Sequence, residues 1–174
     1  MKNNNYFFMI KVVKGNLLDA AEPIIAHQVN CQKKMNSGVA KAIREKYPKV
    51  FEQYLETDPQ LGNVGFVFVL TDNLTGNGIT IANMYAQDMY GYDGKQYTNY
   101  DAFRMCCRCI VSHCRYLEKC INKKSEYFDT NVNIKYSVAM PYKIASNRGG
   151  ADWDKIMDIL LEEFTDVDLT LYKL

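Results

Sequence analysis

The sequence predicts an α/β fold, a three-layer α/β/α sandwich with a mixed central sheet. Three observations predict it. Strand and helix patterns alternate along the chain after a central hairpin. The inner strand segments, Ile24–Val29 above all, are apolar throughout, as in strands covered on both faces. The stretch IIAHQVNCQKKMNSGVA, Ile24 to Ala40, passes from a buried strand through a polar connection and a Met35-Asn36-Ser37-Gly38 turn directly into a helix. The chain has 174 residues, which fits one domain over 1–174 with a sizeable core.

Each element has a local reason. Tyr6–Val13 is apolar and alternates weakly, so it reads as a first strand. It lacks the long apolar core and small-residue cleavage site of a signal peptide. The Asn3–Asn5 run before it reads as a frayed terminus. Gly15–Asp19 reads as a loop, and Ile24–Val29 as the second strand. Gly38 to Lys46 has Val39, Ile43 and Tyr47 on one helical face. Pro48 suits the first turn of a following helical segment, with Val50, Phe51, Tyr54 and Leu55 inward. Asp58-Pro59 and Gly62-Asn63 are turn signals. Val64–Leu70 and Ile79–Tyr85 pair as a hairpin across the Asn- and Gly-rich segment Thr71–Gly78. Gln87–Asn99 reads as a loop. A helix over Tyr100–Ile121 follows, then a polar connection, Asn122–Thr130, and a strand, Asn133–Met140. Pro141–Gly150 is a loop, Asp152–Phe164 an amphipathic helix and Val167–Tyr172 a final strand.

Composition excludes some functions. The net charge of +1 gives no basic surface for an extended grip on duplex nucleic acid, so no stable nucleic-acid complex is expected. The longest apolar run is far short of the roughly 20 residues of a membrane span. Five of the six cysteines lie in one segment: Cys106, Cys107, Cys109, Cys114 and Cys120. Cys106-x-x-Cys109 with His113 and Cys114 could be a zinc set. However, Phe103, Cys106, Cys107, Ile110, Cys114, Leu117 and Ile121 recur at helical steps and form one stripe. A core helix is therefore expected, with no metal and with His113 structural. Unpaired cysteines and the absence of an export signal point to a reducing, cytoplasmic setting.

Three loops lie between a strand end and a helix: Gly15–Asp19, Asn30–Gly38 and Ile144–Trp153. The last contains Ser146, Asn147, Arg148 and the pair Gly149-Gly150, with Asp152 as a candidate N-cap. Backbone N–H groups at a helix start favour anions, so two such loops in one α/β domain point to a ligand with two phosphates. Each loop could also be a simple turn. His27 and Asn30 sit at a strand end, where ligands of open α/β sheets bind, but a histidine there can equally be structural. Tyr85, Tyr90, Tyr92, Tyr97 and Tyr100 could line a base or ribose pocket, or serve packing and loop rigidity. No Walker loop, G-x-G-x-x-G, H-E-x-x-H or G-x-S-x-G motif occurs.

Together the three loops resemble the macro domain, an ADP-ribose-binding fold, over nearly the whole chain. His27-Gln28-Val29-Asn30 stands where the family has Asn-Ala-Ala-Asn at a strand end, followed by the glycine-bearing turn and Val39-Ala40. The resemblance implies a macro-type sandwich that binds ADP-ribose. It places Asn30 at the distal ribose, Met35, Ser37, Gly38, Val39 and Ala40 around the distal ribose and phosphates, and Ser146, Asn147, Arg148, Gly149 and Gly150 in a second phosphate loop. Gly15-Asn16 falls where the family often has a Gly-Asp pair whose carboxylate reads adenine, so Asn16 takes the place of the Asp, and Leu17, Gln87 and Trp153 complete the implied site. KGNLLDA, HQVNCQ, MNSGVAKAIREKYP and GGADWDKI are similar to the small stand-alone ADP-ribose-1″-phosphate phosphatases often carried by phages and microbes. That subgroup implies hydrolysis of ADP-ribose 1″-phosphate without a cofactor, with His27 as general acid or base and Asn30 orienting the ribose. Two alternatives are a non-catalytic binder of ADP-ribose or a signalling nucleotide, and a hydrolase of ADP-ribosylated protein or nucleic acid. For the latter, Tyr85-Ala86-Gln87-Asp88 lacks the lysine that glutamate-linked and DNA-linked hydrolases use.

Overall fold

A computed structural model describes residues 10–127 and 133–174. The expected Asn3–Asn5 terminus, the Tyr6–Met9 part of the first strand and the last residues of the polar connection before Asn133 lie outside the described residues.

Among the described residues six strands form one sheet: β1 (Ile10–Lys14), β2 (Ile24–Asn30), β3 (Val64–Leu70), β4 (Gly78–Gln87), β5 (Ser137–Pro141) and β6 (Asp168–Lys173). Their order is β1-β6-β5-β2-β4-β3. Every neighbouring pair is parallel except β3 and β4, the expected hairpin, so the sheet is mixed. Among the described residues four helices cover it: α1 (Gly38–Lys46), α2 (Pro48–Glu56), α3 (Tyr100–Tyr127) and α4 (Trp153–Glu163).

The period-two alternation of β2 divides the interior. Ile24 and Ala26 face a core with Phe103, Ile110, Ile156, Leu160 and Phe164 of α3 and α4. Ile25 and Val29 face a second core with Ile43, Val50 and Tyr54 of α1 and α2. Burying β2 on both faces is what the apolar residues Ile24, Ile25, Ala26 and Val29, spread over both of its faces, encode. Cys106, Cys107 and Cys114 are fully buried in the first core. Burial pushes the Cys106 and Cys114 thiols up to about 12, which leaves them unreactive packing groups. Among the described residues, no group of three His, Cys, Asp or Glu is placed to hold a metal ion.

Some boundaries differ from expectation. Gly15–Asp19 contains a 3₁₀ turn, Leu17–Asp19, because the Asn16 side chain accepts from the Leu18 N–H at 3.1 Å and caps it. α3 continues through Tyr127, since Asn122–Glu126 holds lysines and a glutamate that favour helix and no glycine or proline. β5 begins at Ser137, later than Asn133. β4 extends to Gln87, where its pairing with β2 shifts between Val29 and Asn30. Among the described residues no helix is long and apolar enough to cross a membrane.

Candidate functional site

β2 and β5 are neighbours, and their C-terminal ends lead to helices on opposite faces of the sheet. That topology opens a crevice at the strand ends. A cleft of about 360 Å³ occupies it. Its walls are the start of α1, the loop after β5 and the loop after β4; the last residues of β2 form the floor.

The α1 wall is built for an anion. Gly38 has φ +56°, a conformation only glycine adopts without strain, and a Cβ there would meet open space. Ser37 occupies the N-cap but makes no side-chain capping bond. The first N–H groups of α1 therefore lack the partner that Asp152 supplies to α4, where its carboxylate accepts from the Asp154 N–H at 2.9 Å. Val39 and Ala40 line the same wall, as do Lys34 and Asn36.

The opposite wall contains Asn147, Arg148 and Gly149. The Gly149 carbonyl accepts from the N–H groups of Tyr97 at 2.8 Å and Thr98 at 2.9 Å, which ties this loop to the one after β4. The Arg148 guanidinium lies 4.1 Å from the centre of the Tyr92 ring and joins the two loops again at the rim. Tyr90 and Tyr92 line the cleft, whereas Tyr85 is buried on the α2 side, stacked on Tyr54 at 5.8 Å. Tyr97 donates to Asp93 at 2.8 Å, and Tyr100 accepts from the Asp152 N–H at 2.9 Å.

His27 and Asn30 both line the cleft, yet their polar groups are largely committed. His27 is 1% exposed, and its Nε2 lies 2.7 Å from Asn83 Oδ1. Burial drives its pKa down to about 4, with the Asn83 bond opposing, so the ring is neutral near pH 7. Its Nδ1 is buried without a partner. Asn30 closes the turn after β2. Its Oδ1 accepts from the N–H groups of Gln32 at 3.0 Å and Lys34 at 3.2 Å, and its Nδ2 donates to the Lys34 carbonyl at 2.8 Å. The Tyr54 hydroxyl donates to the Asn30 carbonyl from below.

Of the other expected site residues, all but Gln87 lie apart from the cleft lining. Met35 is fully buried in the α1–α2 core. Asn16 and Leu17 belong to the 3₁₀ turn. Gly150 turns at φ +63° against Lys95, and Ser146 is half-buried behind the loop. Trp153 packs edge-on against Tyr142, ring centres 5.2 Å apart, and Tyr142 itself lines the cleft. Gln87 lines it directly. Sequence reasoning took Gln28 only as part of a polar rim with His27 and Asn30, and missed Tyr142 and Lys143, which line the cleft, and Thr98, which bonds to Gln28. A glutamine inside an apolar strand was the one signal available for Gln28.

Sheet order, helix placement and a cleft at the ends of β2 and β5 define the class: this is the macrodomain fold. The macrodomain of Thermus aquaticus DarG superposes with a TM-score of 0.70 at 18% identity, over 95% of this chain and 99% of that one. The macrodomain of Mycobacterium tuberculosis DarG gives a TM-score of 0.70 at 22% identity, over 96% and 99%. Thermosipho africanus DarTG in complex with ADP-ribose gives 0.65 at 12% identity, over 93% of this chain and 41% of that one. No protein-family model matches the sequence, and no curated protein does.

Proposed function

We propose that the cleft binds ADP-ribose, with the diphosphate between the start of α1 and the 147–149 loop. One observation carries this reading. Every charged residue that lines the cleft is a cation, Lys34, Lys143 and Arg148, in a chain whose net charge is only +1. None of the three has an acidic partner within salt-bridge distance among the described residues. Uncapped helix N–H groups face the same space, which favours a phosphorylated ligand. The complex of the similarly folded Thermosipho africanus protein with ADP-ribose supports the choice of nucleotide.

Binding without turnover is the form we adopt. Hydrolysis of ADP-ribose 1″-phosphate needs a proton donor or a competent base. A neutral, buried His27 whose Nε2 already meets Asn83 is not the imidazolium that a general acid requires near pH 7, and it is a weak base. The amide of Asn30 is spent on its own turn. The phosphatase reading keeps one observation in its favour, the unpartnered Nδ1 of His27 beside the cleft. The test is calorimetry with ADP-ribose, together with incubation with ADP-ribose 1″-phosphate and measurement of released phosphate. Micromolar or tighter binding without phosphate release is the expected result. Phosphate release that His27→Ala abolishes would replace the binder by the phosphatase. Absence of ADP-ribose binding would overturn both.

A further inference from the structure

A chain of hydrogen bonds under the cleft has a fixed direction. At one end Gln87 Nε2 donates to the Met89 carbonyl at 3.0 Å. Gln87 Oε1 therefore faces Gln28, whose Nε2 donates to it at 2.5 Å. The same Nε2 donates to Thr98 Oγ1 at 2.9 Å. At the far end the Thr98 hydroxyl donates to the Ala145 carbonyl at 3.2 Å. Both ends are backbone carbonyls, which can only accept. Turning over the Gln87 amide would set its oxygen against the Met89 carbonyl. Turning over the Gln28 amide would set its oxygen against Gln87 Oε1 and would leave Thr98 Oγ1 without a donor. The orientation of Gln28 is thus determined by its surroundings.

This leaves one group over. Both Nε2 hydrogens of Gln28 are used, and its Oε1 is a buried acceptor with no partner, on a residue that lines the cleft. Leaving such an acceptor unmatched is costly, and a pre-oriented one discriminates strongly for a ligand that brings the missing hydrogen. His27 Nδ1 is a second buried nitrogen without a partner on a residue that lines the cleft, on the opposite face of β2 from Gln28. At Gln28 the floor therefore asks for a hydroxyl donor, while the two walls, with their N–H groups and cations, ask for phosphate oxygens. The floor residues His27 and Asn30 are buried, whereas Tyr90 and Tyr92 at the rim are exposed. Exposed Tyr90 and Tyr92 rings offer a face on which a base would stack, which would leave the floor to the sugar beyond the diphosphate.

We propose that Gln28 is a specificity residue whose Oε1 accepts a hydrogen bond from a hydroxyl of the terminal ribose. The proposal rests on the ADP-ribose reading of the cleft. The relay through Gln87, Thr98 and Ala145 holds the amide in that orientation before the ligand arrives. Preorganisation of this kind reduces the ordering cost of binding.

The experiment compares ADP-ribose with ADP, which has the diphosphate and adenosine but no terminal ribose. Gln28→Met removes the acceptor and keeps the length of the side chain. It should weaken ADP-ribose roughly tenfold or more and leave ADP within about threefold, so the unchanged ADP affinity also certifies the fold. Thr98→Val breaks the relay and should weaken ADP-ribose selectively, whereas Thr98→Ser keeps the hydroxyl and should restore it. An unchanged ADP-ribose affinity in Gln28→Met overturns the proposal. So does an equal loss for both ligands, which would mark Gln28 as a support for the whole cleft. If Gln28→Met does not fold, the Thr98 pair decides: equal effects of Val and Ser overturn the proposal. Wild-type protein that binds ADP but gains nothing from the terminal ribose overturns it as well. Wild-type protein that binds neither ligand overturns the ADP-ribose reading itself.

Discussion

Gly149 rests directly on Thr98. Its carbonyl accepts the Thr98 N–H at 2.9 Å, and a Cβ at position 149 would overlap Thr98 Oγ1, the Ala145 carbonyl and Gln28 Nε2. The contact joins the loop after β5 to the loop after β4, so one wall of the cleft is fixed by the absence of a single methyl group. Gly149→Ala should cost about 1–3 kcal/mol of stability through overpacking. ADP-ribose affinity should fall with it, because the displaced loop holds Asn147 and Arg148. Chemical denaturation and calorimetry on the same sample check both. A fully stable Gly149→Ala protein with intact binding would mean that the loop adapts and does not template the cleft.

Gly38 behaves in the opposite way. A Cβ there meets nothing within contact distance, although φ is +56°. Gly38→Glu should therefore be tolerated at a cost of about 1 kcal/mol for the left-handed backbone. Its carboxylate would stand at the helix start proposed for phosphate. The circular dichroism spectrum should be unchanged while ADP-ribose affinity falls at least about tenfold, or ~1.4 kcal/mol. Unchanged affinity by calorimetry would place the phosphates elsewhere.

The contrast between these glycines shows what could be read in advance. α1 was legible from Gly38 to Lys46 because its signals are local: a turn, a glycine and an apolar stripe. β3 was legible from Val64 to Leu70 because Gly62-Asn63 marks its entry. The floor of the cleft was not. Its bonds join residues 59, 70 and 47 positions apart, and nothing near Gln28 in the sequence announces Gln87, Thr98 or Ala145. His27 was visible as a residue at a strand end, but its burial and its bond to Asn83, 56 positions away, come from the packing of β2 against β4. Sequence spacing pointed to two loops that line the cleft, Asn30–Gly38 and Ile144–Trp153, and to a third, Gly15–Asp19, that does not. It could not tell the cleft-lining Gly149 and Arg148 from Trp153, which lies one aromatic ring further back.

Tyr54 supports the turn after β2. Its buried hydroxyl donates to the Asn30 carbonyl, and its ring stacks on Tyr85 at 5.8 Å. Tyr54→Phe keeps the stacking and leaves a buried carbonyl short of a partner, which should cost about 1–3 kcal/mol. The turn contains Lys34, which lines the cleft, so a smaller loss of ADP-ribose affinity should accompany the loss of stability. Urea denaturation measures the first effect and calorimetry the second. A denaturation midpoint equal to wild type would show that the turn holds without this bond.

His27 gives the protein a defined sensitivity to acid. Its folded-state pKa is depressed from 6.5 to about 4, chiefly by burial. The unfolded chain therefore binds a proton that the folded chain refuses as the pH falls below 6.5. Stability from this group is fully present above pH 6.5 and is lost progressively down to about pH 4, which amounts to about 2 kcal/mol by pH 5. Burial also lowers the pKa of His113, which adds loss of the same sign. Glu22, Glu163 and Asp166 have carboxyl pKa values held below their ordinary range, and their contributions are lost only at lower pH. His27→Asn isolates the effect, since it keeps a polar side chain beside Asn83 and removes the titrating ring. The wild-type protein should lose about 2 kcal/mol more than this variant between pH 7 and pH 5, read from urea midpoints at the two pH values. Between pH 8 and pH 6 its ADP-ribose affinity should stay level, because the ring is neutral throughout that range. Equal pH dependence in the two proteins would show that His27 titrates as an open histidine, and the acid–base chemistry set aside above would then return to it.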